Sequence, residues 1–178
     1  MHQISDLIRL FNGLFAVSEQ TVLQAGNDEP MYLPRDAQFP YHRIVFAHGF
    51  FASALHELAH WCIAGHERRQ KVDYGYWYEP DGRSAAQQHV FAAVEAKPQA
   101  LEWIFAKACD HPFVISLDNL SGEAIDTMPF KQAIMQEIEQ LITNGLPYRA
   151  RILHQAMADF YHQPQALPDY HFEIRSLA

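Results

Sequence analysis

Ser53-Ala54-Leu55-His56-Glu57-Leu58-Ala59-His60-Trp61-Cys62-Ile63-Ala64 is the stretch around which the rest of the chain is read. Ala and Leu favour helix, no proline interrupts the run, and Gly65 offers a stop at its C-terminal end. On a helix His56 and His60 are four positions apart, so both imidazoles leave one face, one turn above the other. His-Glu-x-x-His is the spacing of a two-point metal clamp. Two unrelated histidines flanking a glutamate on a packed helix would give the same letters, so the case for a metal depends on further ligands.

Outside that helix, composition bounds the answer. A chain of 178 residues with 49% hydrophobic content, 12 Phe, 8 Tyr and 3 Trp predicts one packed domain. The net charge of −8 argues against non-specific nucleic-acid binding and suits a cationic partner. Residues 1–13 lack the charged start and apolar run of a secretory leader, and no apolar run approaches the ~20 residues of a membrane helix. Cys62 and Cys109 form no CxxC pattern, which predicts two buried, reduced thiols in a cytoplasmic protein. A monomer is expected.

The pattern along the chain predicts an α+β fold with a small, mainly antiparallel sheet packed against helices. Ser5 is positioned to cap a first helix whose apolar stripe is Leu7, Ile8, Leu10, Phe11, Leu14 and Phe15. Short apolar pieces at 21–24, 31–33 and 43–47, broken by Gly26, Pro30, Pro34 and Pro40, read as strands, and 113–117 as another. His48-Gly49 turns the third strand into the metal helix, with His48 read as a turn histidine rather than a ligand. Ser84 caps a helix to residue 96, continued from 99 to 109 across a kink at Pro98. Two helices, 129–144 and 147–162, close the domain by packing, and the tail from 163 to 178 is expected to be loosely ordered.

A catalytic metal site normally has three protein ligands and an open position. Glu95 is the chosen third ligand, because a carboxylate in the run Phe91-Ala92-Ala93-Val94-Glu95-Ala96 falls on a buried face and needs a partner. The competing reading is a salt bridge to Arg83 or Lys97. Glu67, Asp73, Glu79, Glu102 and Asp118 are less favoured, as solvated charges on loops or amphipathic faces. His171-Phe172-Glu173 matches the His-x-Glu opening of iron oxygenases but sits in the tail, a poor platform for a metal. Tyr74, Tyr76 and Tyr78 are candidates to line a substrate cleft, with core packing as the alternative.

Two histidines and a carboxylate serve two chemistries. With zinc, the ion acidifies a bound water and Glu57 acts as general base, as in a metallopeptidase. With ferrous iron, one face of the coordination sphere stays open to dioxygen. Spacing alone does not choose between them, and the sequence chemistry by itself favours the peptidase.

Several ordered segments resemble the bacterial elongation factor P hydroxylase family. They include Arg43-Ile44-Val45-Phe46-Ala47-His48-Gly49-Phe50, the helix motif from Leu55 to Gly65, Asp73-Tyr74-Gly75-Tyr76-Trp77-Tyr78, Pro80-Asp81-Gly82-Arg83 and Val94-Glu95-Ala96-Lys97-Pro98. The resemblance runs densely from Asp28 to Leu120. It implies a non-heme Fe(II) hydroxylase that uses dioxygen on the lysylated lysine of elongation factor P, with a zincin-like metal helix. It carries His56 and His60 over as metal ligands and Glu95 as the carboxylate. Glu57 is left to move protons, orient a ligand or attract the ammonium groups of the substrate.

Overall fold

Helical spacing of apolar residues puts Leu7, Phe11 and Phe15 on the buried face of α1 (Ile4–Phe15). Ser5 lies within its first turn rather than at the cap; Gln3 takes the cap position and no side chain caps the helix. Packing, not capping, therefore sets where this helix begins. The computed structural model describes residues 2–72, 85–116, 126–163 and 165–177, without the side chains of 85–89.

Three strands follow: β1 (Thr21–Ala25), β2 (Met31–Leu33) and β3 (His42–Phe46), each within a residue of its expected place. Their order is β1-β3-β2. β2 pairs antiparallel with β3, through Met31 opposite Val45, whereas β1 pairs parallel with β3, through Thr21 opposite His42. The sheet is thus mixed, not mainly antiparallel. The turn after β2 is local: Asp36 Oδ1 accepts from the backbone N–H groups of Gln38 and Phe39, and that reversal dictates an antiparallel neighbour. Which edge of β3 receives β1 is settled by α1 packing on β1, a tertiary contact.

His48 (φ 51°) and Gly49 (φ 71°) both take left-handed backbone at the junction after β3, and the Ala47 N–H donates to Ser53 Oγ at 3.0 Å. His48 is a turn residue, as its sequence position suggested. The chain then enters α2 (Phe51–Ile63), which buries Ala54, Leu55, Leu58, Ala59, Trp61 and Cys62. Ala64, not Gly65, closes the helix, by leaving the helical region at ψ 126°.

α3 (Ala85–Cys109) is the central element, in contact with α2, α4 (Met128–Asn144) and α5 (Tyr148–Phe160). Pro98 is accommodated inside one continuous helix, so the two expected pieces are a single element. Every residue from Leu101 through Ala106 is buried, so this part of α3 has no solvent face. The expected cap Ser84 lies outside the described residues. Both cysteines are free and buried, as anticipated.

Two further sequence expectations fail. Residues 113–116 form no strand; Phe113 stacks on Trp103 with ring centroids 5.4 Å apart, and the Gln99 side chain takes both backbone groups of Ser116 that a strand neighbour would have used. The C-terminal tail packs: Tyr170 and Leu177 are buried, Phe172 meets Trp103 edge-on at 5.0 Å, and Lys131 Nζ donates to the Leu177 carbonyl at 2.6 Å. Its apolar residues cover surface that α3 and α4 would otherwise expose, worth about 1.5–3 kcal/mol per large side chain fully buried. One hydrophobic cluster joins elements from α1 to this tail. Among the described residues no helix is long and apolar enough to cross a membrane.

Candidate metal centre

The face of α2 that carries His56 and His60 is turned toward α3, the helix that bears Glu95. His60 Nε2 lies 3.0 Å from His56 Nε2 and 3.4 Å from Glu95 Oε1, and His56 Nε2 lies 3.6 Å from Glu95 Oε2. One donor atom from each of the three falls within 4.8 Å of the other two. Metal–ligand bonds of about 2.1 Å place neighbouring donors ~3.0 Å apart in an octahedron and ~3.4 Å apart in a tetrahedron. The 3.0 and 3.4 Å separations have that size, and the 3.6 Å one, to the other carboxylate oxygen, is slightly longer.

The polar accounting points the same way. His56 Nδ1–H donates to Glu102 Oε2 at 2.8 Å, which leaves Nε2, facing the Nε2 of His60, as the ring nitrogen able to bind a metal. Two ring nitrogens 3.0 Å apart need a proton or a cation between them. Glu95 is only 4% exposed, and its Oε2 is buried without a hydrogen-bond partner among the described residues. A buried carboxylate oxygen left unpaired is costly. A divalent cation answers both problems, so the donor set fits one.

Burial, the largest influence on His56, disfavours its imidazolium, yet the charge and hydrogen bond of Glu102, followed by Glu95 and Glu57, raise its pKa to about 10. Burial likewise works against the Glu95 carboxylate, but the hydrogen bond and charge of His60, then His56 and Gln99, hold its pKa below the usual value. Glu57 is half-buried and its pKa is raised, chiefly by burial. It lines a small cleft with Tyr32, Ile44, His60 and Trp61. Three carboxyl groups, of Glu57, Glu95 and Glu102, thus surround the two imidazoles.

The structure therefore brings His56, His60 and Glu95 together, with Glu57 beside them. Lys97, one of the alternative partners for Glu95, is exposed, and Arg83 lies outside the described residues. Tyr74, Tyr76 and Tyr78 also lie outside them. His171 and Glu173 form an exposed surface pair at 2.6 Å, consistent with their rejection as ligands. Glu102 is the correction: it is no solvated charge but 8% exposed and bound to His56. Its signal was the sevenfold spacing from Glu95, two turns along one helix face. Gln99, between them on the same face, was also passed over. Arg149, whose guanidinium caps the carbonyl end of α2, had no local signal at all.

Fold and site together describe an α+β protein with a two-histidine, one-carboxylate cluster held between two packed helices. The family described as elongation factor P hydroxylase matches residues 10–172, and the chain belongs to that family. A protein of Haemophilus influenzae named elongation factor P lysine hydroxylase is 51% identical over 160 residues, which is 90% of each chain. Neither likeness is to a peptidase, and the zinc-peptidase alternative finds no support in them.

Proposed function

We propose that this protein is an Fe(II)-dependent monooxygenase that hydroxylates the lysylated lysine of elongation factor P as a post-translational modification. The observation that carries the reading is the convergence of His56, His60 and Glu95 in a chain half identical to a protein of that name. Fe(II) held by these three groups would leave positions open for dioxygen, the oxidant that an unactivated C–H bond requires, with two further electrons coming from a reductant.

The protein's own groups have distinct tasks. His56 and His60 offer neutral nitrogen donors, and Glu95 offsets charge from a buried position. Glu57, raised in pKa beside His60, is placed to hold a proton or to attract an ammonium group of the substrate. The net charge of −8 suits a substrate segment that carries amino groups and disfavours nucleic acid. Tyr74, Tyr76 and Tyr78 are assigned to the substrate cleft. The pairing of the His-Glu-x-x-His helix with a small sheet is the basis for calling the site zincin-like. A monomer acting in the cytoplasm, where translation factors reside, completes the reading.

The test has two parts. Elongation factor P from cells lacking this protein is expected to lose one oxygen atom in mass at the modified lysine. Anaerobically purified protein, given Fe(II), dioxygen and a reductant, is expected to restore it. Unchanged elongation factor P in the deleted cells, or activity restored by zinc alone, would overturn the proposal.

A further inference from the structure

Glu102 lies outside the cluster of three donors, on the far side of the His56 ring from it. It is 8% exposed, within a stretch of α3 that has no solvent face, and a carboxylate there costs several kcal/mol unless its partner is well placed. That partner is the Nδ1–H of His56 at 2.8 Å, the length of a charge-assisted hydrogen bond. Glu95 and Glu102 are seven residues apart on one continuous helix, two turns or about 10 Å along its axis. The His56 ring is therefore gripped from both ends by one rigid element: Glu95 beside Nε2, Glu102 on Nδ1.

We infer that Glu102 is a positioning residue for the metal centre, fixing the His56 ring with Nδ1 protonated so that the Nε2 lone pair points at the ion shared with His60 and Glu95. A neutral imidazole carries a single N–H, and the hydrogen bond made by one nitrogen decides which nitrogen is free to bind a metal. Without the acceptor the ring has no fixed tautomer and rotates about its side-chain bonds. Glu102 touches neither substrate nor oxygen, so its influence appears first in metal binding. The inference rests on the metal reading proposed above, and the experiment separates the two.

The full-length protein and the variants Glu102→Ala and Glu102→Gln are titrated anaerobically with Co(II) and with Fe(II), and the zinc-loaded, ¹⁵N-histidine-labelled proteins are examined by NMR. Loss of the acceptor is expected to weaken Co(II) binding about 100-fold in Glu102→Ala. The glutamine, which keeps an acceptor without the charge, restores part of it, leaving a loss of about 10-fold. The slowly exchanging His56 Nδ1–H signal of the wild-type protein disappears in Glu102→Ala. If either folded variant binds Co(II) within twofold of wild type, or the Nδ1–H signal of Glu102→Ala persists, the inference is overturned. Should Glu102→Ala not fold, Glu102→Gln decides by the same twofold criterion. Wild-type protein that binds no divalent metal overturns this inference and the metal reading together, whereas tight metal binding without hydroxylation overturns only the proposed activity.

Discussion

Arg149 Nη2 donates to the carbonyl of Ala64 at 2.6 Å, and the same nitrogen lies 2.9 Å from the Trp61 carbonyl and 3.3 Å from that of Cys62. A cation on α5 thus satisfies the orphan carbonyls at the end of α2, where the helix dipole is negative. Its guanidinium also lies over the Trp61 ring at 4.7 Å. Because α2 carries His56 and His60, this contact anchors the helix that presents the candidate ligands.

Arg149→Met keeps the aliphatic stem and removes these bonds. A loss of about 2 kcal/mol is expected for hydrogen bonds from a charged donor. At this chain length that corresponds to a fall in Tm of roughly 4–8 °C. Thermal unfolding followed by circular dichroism measures it; an unchanged midpoint would show that water caps α2 equally well.

His56→Ala, His60→Ala and Glu95→Ala each remove one donor of the cluster. Each is expected to lower hydroxylation by more than about 100-fold, beyond the range for partners of ligands, with metal content falling in parallel. Tm should change modestly, since none of the three belongs to the hydrophobic cluster. Wild-type turnover in Glu95→Ala would remove that residue from the site.

Gly26 follows β1 and donates its N–H to the Phe46 carbonyl at 2.8 Å. A Cβ at this position would stand 2.6 Å from Val45 Cγ1. Since the Val45 side chain is stiff at its branch, Gly26→Ala is expected to cost about 1–3 kcal/mol in urea unfolding. Combined with Val45→Ala, which removes the clashing methyl, the double variant should lose less than the sum of the two single losses.

His154 is 7% exposed, its Nε2 has no hydrogen-bond partner among the described residues, and burial lowers its pKa. The folded state therefore keeps this ring neutral at a pH where the unfolded chain, with pKa near ~6.5, already binds a proton. Its contribution is fully present above about pH 6.5 and is lost as pH falls through the depressed folded value. His42 has the same sign, lowered by burial and then by Arg35 and Arg69, and its Nδ1 accepts from the Arg35 N–H at 3.2 Å. Wild-type stability should fall between about pH 7 and pH 5, and His154→Phe should flatten that decline. Parallel wild-type and variant curves in denaturant titrations would exclude His154 as a contributor.

The amino-acid pattern by itself determined where the helices and the strands β1 to β3 lie, because propensity, apolar periodicity and turn residues act between near neighbours, though it also placed a strand at 113–117 whose residues 113–116 form none. It placed β2 at Met31–Leu33 and set His56 and His60 on one face of α2. It also named Glu95, because a charge among small apolar residues has to be buried and paired, and the ordered family motifs pointed to the same residue. Only the tertiary structure decided the parallel pairing of β1 with β3, the burial of the tail, the grip of Glu102 on His56 from 46 positions away, and the cap from Arg149. Glu102 shows the physical reason. A carboxylate reads as solvated or buried according to which surfaces close around it, and Leu101 through Ala106 are enclosed because other elements pack around α3, which its own sequence does not state.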